Sequence, residues 1–151
     1  MKEYRVVVPE ENHQILEFIQ DDLPGFATIN VGLREFEPKE VFAWHCSIML
    51  QLEDTVEDGL PSADEMQIIE EFGDWLDLEI KGDIPIKPNA LFLARVTWNE
   101  TQELIWRVFN PDKTDIFLRK LIRDEDYDRS FDYRIDLDKE WKLTEWYLKK
   151  Y

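Results

Sequence analysis

His45 and Cys46 stand side by side, and a histidine next to a thiol is the first pair to consider for nucleophilic catalysis. Neighbours on a strand point to opposite faces, so on the strand expected here the two side chains cannot meet. Cys46 then reads as a core residue, the usual place of a lone thiol. His13 and His45 are the only histidines, and no carboxylate–histidine spacing repeats along a helix, so neither a metal centre nor a cofactor is expected. Asp54, Glu57 and Asp58 could hold a hard cation weakly, but the EF-hand pattern is missing and the stretch reads as a solvated acidic loop. Paired carboxylates for hydrolysis are uninformative in a chain this rich in acids.

Two constellations remain. Strand alternation predicts that His45, Ser47, Arg95, Thr97, Arg107 and Arg134 share the sheet face turned away from the helices, beside Asp132 and Asp136. Basic groups gathered on one face of an acidic protein can form an anion or peptide site. The alternative is that they pair across strands with Asp132, Asp136 and Glu103, or lie under an N-terminal hairpin. The second constellation is the acidic helix face of Glu70, Glu71, Asp74 and Asp77, which is either a solvated surface or a docking face for a basic partner.

The composition sets the bounds. The 151 residues suit one domain spanning 1–151, and 44% hydrophobic with 13% aromatic residues call for a packed core. With 34 acidic against 18 basic residues the net charge is −16. Phosphate backbones and anionic membranes repel such a surface, which argues against general nucleic-acid or membrane binding, while a basic protein is steered toward it. One cysteine permits no internal disulfide, and with no leader-like or bilayer-length apolar run a cytoplasmic location is expected.

The elements that must position these residues follow from periodicity. The strongest is a helix from Ser62 to Ile80, entered through Asp58-Gly-Leu-Pro. Ser62 and Glu65 have the spacing of a capping box, and Met66, Ile69, Phe72 and Leu76 make an apolar stripe. Strands are predicted at Tyr4–Val8 (an edge), Ile15–Ile19, Phe26–Val31, Val41–Leu52, Leu91–Trp98, Glu103–Asn110 and Phe131–Leu137. On the long strand, Phe42, Trp44, Cys46, Ile48, Leu50 and Leu52 form the core face, and on the last one Phe131, Tyr133, Ile135 and Leu137 point inward. A second helix is expected over Thr114–Ile122, and a last one within Lys139–Tyr151, where Trp141, Leu143, Trp146, Tyr147 and Leu148 recur. From Val41 onward the order is strand, helix, strand, strand, helix, strand. That is a ferredoxin-like βαββαβ arrangement in the α+β class, with an added N-terminal β-hairpin and a C-terminal helical segment.

Leu23–Leu33 with its Pro-Gly, the Asp58-Gly-Leu-Pro-Ser entry to the helix, Ala94–Asn110 ending in Asn-Pro, and the spacing of Asp138, Trp141 and Tyr147 together resemble a mainly bacterial family of small domains of unknown function. A related domain occurs in regulator of ribonuclease activity B, so the resemblance implies an acidic module that binds another protein. Glu100 and Thr101 depart from the family pattern, where a glycine often occupies the hairpin turn, as does Trp146, where a smaller aromatic is common. The resemblance carries over no catalytic residues.

These readings favour a non-enzymatic protein-binding or regulatory module. The alternatives are an enzyme or sensor that binds a small anionic metabolite on the open sheet face, and an immunity-type inhibitor of a basic toxin.

Overall fold

The computed structural model describes residues 4–149. Strands β1 (His13–Gln20) and β2 (Leu23–Asn30) form a hairpin closed by Asp21 and Asp22 at φ of 52° and 63°. Two left-handed residues are what a two-residue type I′ turn requires. A second hairpin joins β4 (Ala90–Trp98) to β5 (Thr101–Val108) through Asn99 and Glu100 at φ of 46° and 63°. Glutamate in the left-handed region costs about 1 kcal/mol that glycine would not. β2 pairs with β4, while β3 (Trp44–Gln51) lies between β5 and β6 (Phe131–Leu137). The result is one antiparallel six-stranded sheet in the order β1-β2-β4-β5-β3-β6 within a mixed α+β architecture. The N-terminal hairpin extends the sheet.

Helix α1 (Ala63–Lys81) begins where its cap predicts: Ser62 Oγ accepts the Glu65 N–H at 3.2 Å, an interaction worth about 1 kcal/mol. The reciprocal half of the capping box is absent. The Glu65 carboxylate accepts the Glu53 N–H at 2.6 Å and pairs with Arg129, while the Ser62 N–H goes to the Asp54 carbonyl. Helix α2 (Pro111–Arg123) starts three residues earlier than periodicity suggests. Asn110 caps it by accepting the Asp112 N–H at 3.1 Å, and Pro111 fits the first helical position, where no N–H is needed. The Asn-Pro that ends β5 therefore also starts α2.

Both helices cover one face of the sheet. Ile69, Phe72, Leu76 and Ile80 of α1, with Leu118 and Leu121 of α2, pack on Cys46, Ile48, Leu50, Leu104, Trp106 and Phe131. The opposite face, expected to be open, carries a second core. Leu91, Leu93, Ala94 and Ile105 are buried there beneath Tyr4, Leu33, Phe36, Phe42 and Trp141. The covering segments have little regular secondary structure, so helical or strand periodicity could not reveal them.

Four expectations need correction. Tyr4–Val8 is no strand: Tyr4 buries its ring against Phe42 and Phe109, and its hydroxyl donates to the Pro88 carbonyl at 2.7 Å. Val41 and Phe42 belong to a 3-10 turn, Lys39–Phe42, so Phe42 joins the second core, and of the six residues expected on the core face of the long strand Cys46, Ile48 and Leu50 are the ones fully buried under the helices. Leu137 is exposed at the end of the edge strand β6. The C-terminal segment is a 3-10 turn at Lys142–Thr144 followed by the short α3 (Glu145–Leu148). Asp138 accepts the Lys142 and Leu143 N–H groups and so turns the chain tightly. The last two residues of the expected helix, 150 and 151, lie outside the described residues.

Candidate functional site

The predicted basic face does not assemble. Within β4 a bulge between Phe92 and Ala94 shifts the register by one residue, so Arg95 pairs with Leu104, and Thr97 with Gln102. Leu104 lies in the core beneath the helices, which puts Arg95 and Thr97 on the helix side, opposite His45 and Arg107. Thr97 is fully buried and accepts the Gln102 side-chain amide at 3.1 Å. Arg95 borders a small cavity of about 150 Å³ together with His13, Glu11, Asp74 and Asp77. Carboxylates outnumber the cations there, which makes it a poor seat for an anion.

His45, Arg107 and Asp136 do form one cross-strand row. Arg107 is fully buried and committed to structure. Its Nη1 donates to Asp138 Oδ2 at 2.9 Å and Thr144 Oγ1 at 3.2 Å, Nη2 to the Asp138 carbonyl at 2.6 Å, and Nε to the Phe42 carbonyl at 3.3 Å. The guanidinium lies 4.9 Å from the centre of the Trp141 ring, whose indole N–H donates to the Lys39 and Phe42 carbonyls. Burial lowers the Arg107 pKa to about 10 against the opposing pull of Asp138, so it stays charged at neutral pH. Burial also disfavours the Asp138 carboxylate, but the Leu143 N–H and Arg107 outweigh it and hold the pKa below the usual value. Arg107 is thus the clasp that fastens the C-terminal segment over the sheet.

His45 is 7% exposed, and among the described residues its Nδ1 has no hydrogen-bond partner. Burial, with Arg107 beside it, brings its pKa down from 6.5 to about 4, so the ring is neutral at pH 7. Cys46 points to the other core, where burial raises the thiol to about 12. No thiolate–imidazole pair exists, because alternation separates the two groups. Arg134 alone of the predicted cluster is well exposed, and it pairs with Asp136 at 3.0 Å.

On α1, Glu70, Glu71 and Asp74 are exposed. Asp77 is committed elsewhere: it accepts the Trp106 indole N–H at 2.8 Å and pairs with Lys81 at 2.8 Å. The available acidic face is therefore three residues, with Asp77 at its inner margin.

Sequence reasoning missed two features. The first is the Glu65–Arg129 pair, with Glu65 fully buried and Arg129 nearly so, extended to Glu53 at 2.6 Å. Hydrogen bonding to Arg129, against the cost of burial, holds the Glu65 pKa below the carboxylate norm. Nothing in the spacing of residues 64 apart points to it. The second is a cavity of about 420 Å³ on the face away from the helices, lined by Phe18, Trp98, Trp146 and Tyr147 over Met49 and Glu103. Aromatic positions were visible in the sequence, but only the strand order brings β1, β4 and α3 together.

Among the described residues no group of three or more histidines, cysteines and carboxylates could hold a metal, and no helix is long and apolar enough to cross a membrane. No curated protein and no solved structure matches the chain. A family model matches residues 16–148, which span all six strands apart from the start of β1 and include all three helices. By that match the chain belongs to the family of unknown function DUF695.

Proposed function

We propose that this chain is a non-enzymatic, acidic protein-binding module of the cytoplasm that engages a basic partner, built on a ferredoxin-like unit with an added strand pair. The order β4-β5-β3-β6, with α1 and α2 as the two crossovers, supports the fold assignment. The groups that could have done acid–base or nucleophilic work speak against an enzyme: His45 is buried and neutral, Cys46 is buried as a thiol, and Arg107 is spent on Asp138. The resemblance to a domain of a ribonuclease regulator points the same way as the charge.

One observation carries the binding reading. The two edges of the sheet are built differently. β6 carries Asp132, Arg134 and Asp136 on its edge, the charged pattern that discourages strand addition. β1 is eight residues long, with Ile15 75% and Ile19 78% exposed and only Glu17 as an acid. Among the described residues no strand covers its outer side. The Val31 N–H bonds to the Asn12 carbonyl at 2.8 Å, so even-numbered residues turn their backbone groups toward β2. The N–H and C=O groups of His13, Ile15, Glu17 and Ile19 then face outward, ready for an incoming strand.

The test is affinity capture from native lysate at low and high salt, read by mass spectrometry, with wild type, Glu17→Pro and Glu17→Gln. Proline removes one outward N–H and is tolerated on an edge, while glutamine controls for the charge. A dominant basic partner that is lost with Glu17→Pro, kept with Glu17→Gln and weakened by salt is expected. A partner indifferent to both salt and the proline would overturn the reading.

A further inference from the structure

The aromatic cavity on the face away from the helices is built for one kind of occupant. Register places Met49 and Glu103 opposite each other as its floor, with Asp132 in the same row on β6. Phe18 reaches it across β2 at Gly25, where a Cβ would stand 2.5 Å from the Phe18 ring. From the other side α3 brings Trp146, whose ring centre lies 6.3 Å from that of Phe18 and 5.1 Å from that of Tyr147. Trp98 is held in place by indole hydrogen bonds to the Gln20 and Leu23 carbonyls.

Glu103 is oriented by the Ser47 hydroxyl, which donates to it at 2.5 Å, and among the described residues no cation pairs with it. Glu103 lines the cavity together with Trp98, Trp146 and Tyr147, and its charge contributes, after burial, to the rise in the Tyr147 pKa. Aromatic faces attract cations through their quadrupoles, and a planar guanidinium can stack on them while its N–H fork meets a carboxylate. An anion would meet Glu103 and a net charge of −16, and a neutral apolar group would cover the carboxylate without bringing it a counter-charge.

We propose that this cavity is a guanidinium site that receives an arginine side chain displayed by the protein partner. The inference rests on the reading of the chain as an acidic protein-binding module and gives that partner a chemical feature. The volume of about 420 Å³ accommodates the whole side chain, and Asp132 adds to the negative potential along the entry row.

The experiment is an NMR titration that follows the tryptophan indole signals, with blocked Gly-Arg-Gly, free arginine, blocked Gly-norleucine-Gly and tetramethylammonium as separate probes. The arginine peptide should shift the Trp98 and Trp146 signals with a Kd on the order of millimolar, as expected for a ligand of this size. Free arginine should bind more weakly, because its carboxylate is repelled, and the norleucine peptide should not bind. Glu103→Gln keeps the acceptor for Ser47 and should weaken the arginine peptide about tenfold, the worth of one charge-assisted contact. Trp146→Leu keeps bulk, removes the cation–π face, and should weaken it as well.

Equal binding of the norleucine peptide, or no effect of Glu103→Gln, would overturn the guanidinium assignment. Preference for tetramethylammonium would replace it with a quaternary ammonium site, and preference for free arginine would reject the protein-borne source. Loss of peptide binding alongside unchanged, edge-dependent capture of a partner would reject this site and leave the binding-module reading standing.

Discussion

His45 offers the sharpest test of the physical picture. Its ring is buried between Arg107 and the Asp136–Asp138 stretch, with Arg134 nearby, and the depression of its pKa to about 4 is caused first by burial and then by Arg107. The unfolded chain binds a proton at this residue near pH 6.5, whereas the folded chain does not until about pH 4. Folding stability from this group is therefore fully present above pH 6.5 and is lost as pH falls from there toward 4. The gap corresponds to about 3 kcal/mol in full, of which about 2 kcal/mol is lost by pH 5. Urea unfolding at a series of pH values measures it directly. At a slope of about 2 kcal/mol per molar, the midpoint should drop by roughly 1 M between pH 7 and pH 5. His45→Gln removes the titration, so the difference between wild type and variant isolates this residue from carboxylates that titrate lower. If the variant keeps the same decline over pH 7 to 5, the buried neutral histidine is not its source and the reasoning fails.

Three further outcomes follow from the packing. Arg129→Met should cost about 3 kcal/mol in thermal or urea unfolding, because it leaves the fully buried Glu65 carboxylate without its cation. In wild type the lowered Glu65 pKa gives stability that is present above about pH 4.3 and lost as pH falls through the folded value, and the variant should lack that acid limb. Arg107→Lys should cost about 2 kcal/mol, since lysine cannot serve Asp138, Thr144 and the Phe42 carbonyl at once. Limited proteolysis should then cut first between Asp138 and Lys149, and resistance equal to wild type would count against the clasp. Gly25→Ala should destabilise by about 1–3 kcal/mol, because the new methyl meets the Phe18 ring and, at 2.9 Å, the backbone oxygen of Thr97, which cannot move aside easily. An unchanged melting temperature would contradict that close approach.

The parts of the fold written in local periodicity are legible in the sequence itself. The stripe through Ile69, Phe72 and Leu76, the Ser62 cap and the two hairpins each follow from a few neighbouring residues. What stayed hidden depended on residues far apart. The extra residue in β4 between Phe92 and Ala94 has no marker such as glycine, and it alone reverses the faces of Arg95 and Thr97. Phe36, Phe42 and Trp141 sit in irregular chain, where neither period applies, yet they close the sheet face that was expected to be open. His45 and Arg107 were found as neighbours because their strands alternate regularly. Their burial was not legible, because it is supplied by a segment whose regular periodicity is too short to betray its position.

Arg107 also bears on how this chain folds as it is synthesised. Its carboxylate partner Asp138 lies 31 residues downstream, and at about 5–20 residues per second the ribosome takes roughly 2–6 s to cover that interval. During that time β5 can join its hairpin with β4, but its cation has no counter-charge and cannot be enclosed without a large desolvation cost. The side of the sheet under the helices can settle first, while the other stays wet until Asp138 and Thr144 arrive. Translation speed through this interval therefore sets how long the incomplete face, with Leu91, Leu93 and Ile105, is open to solvent and to passing chaperones.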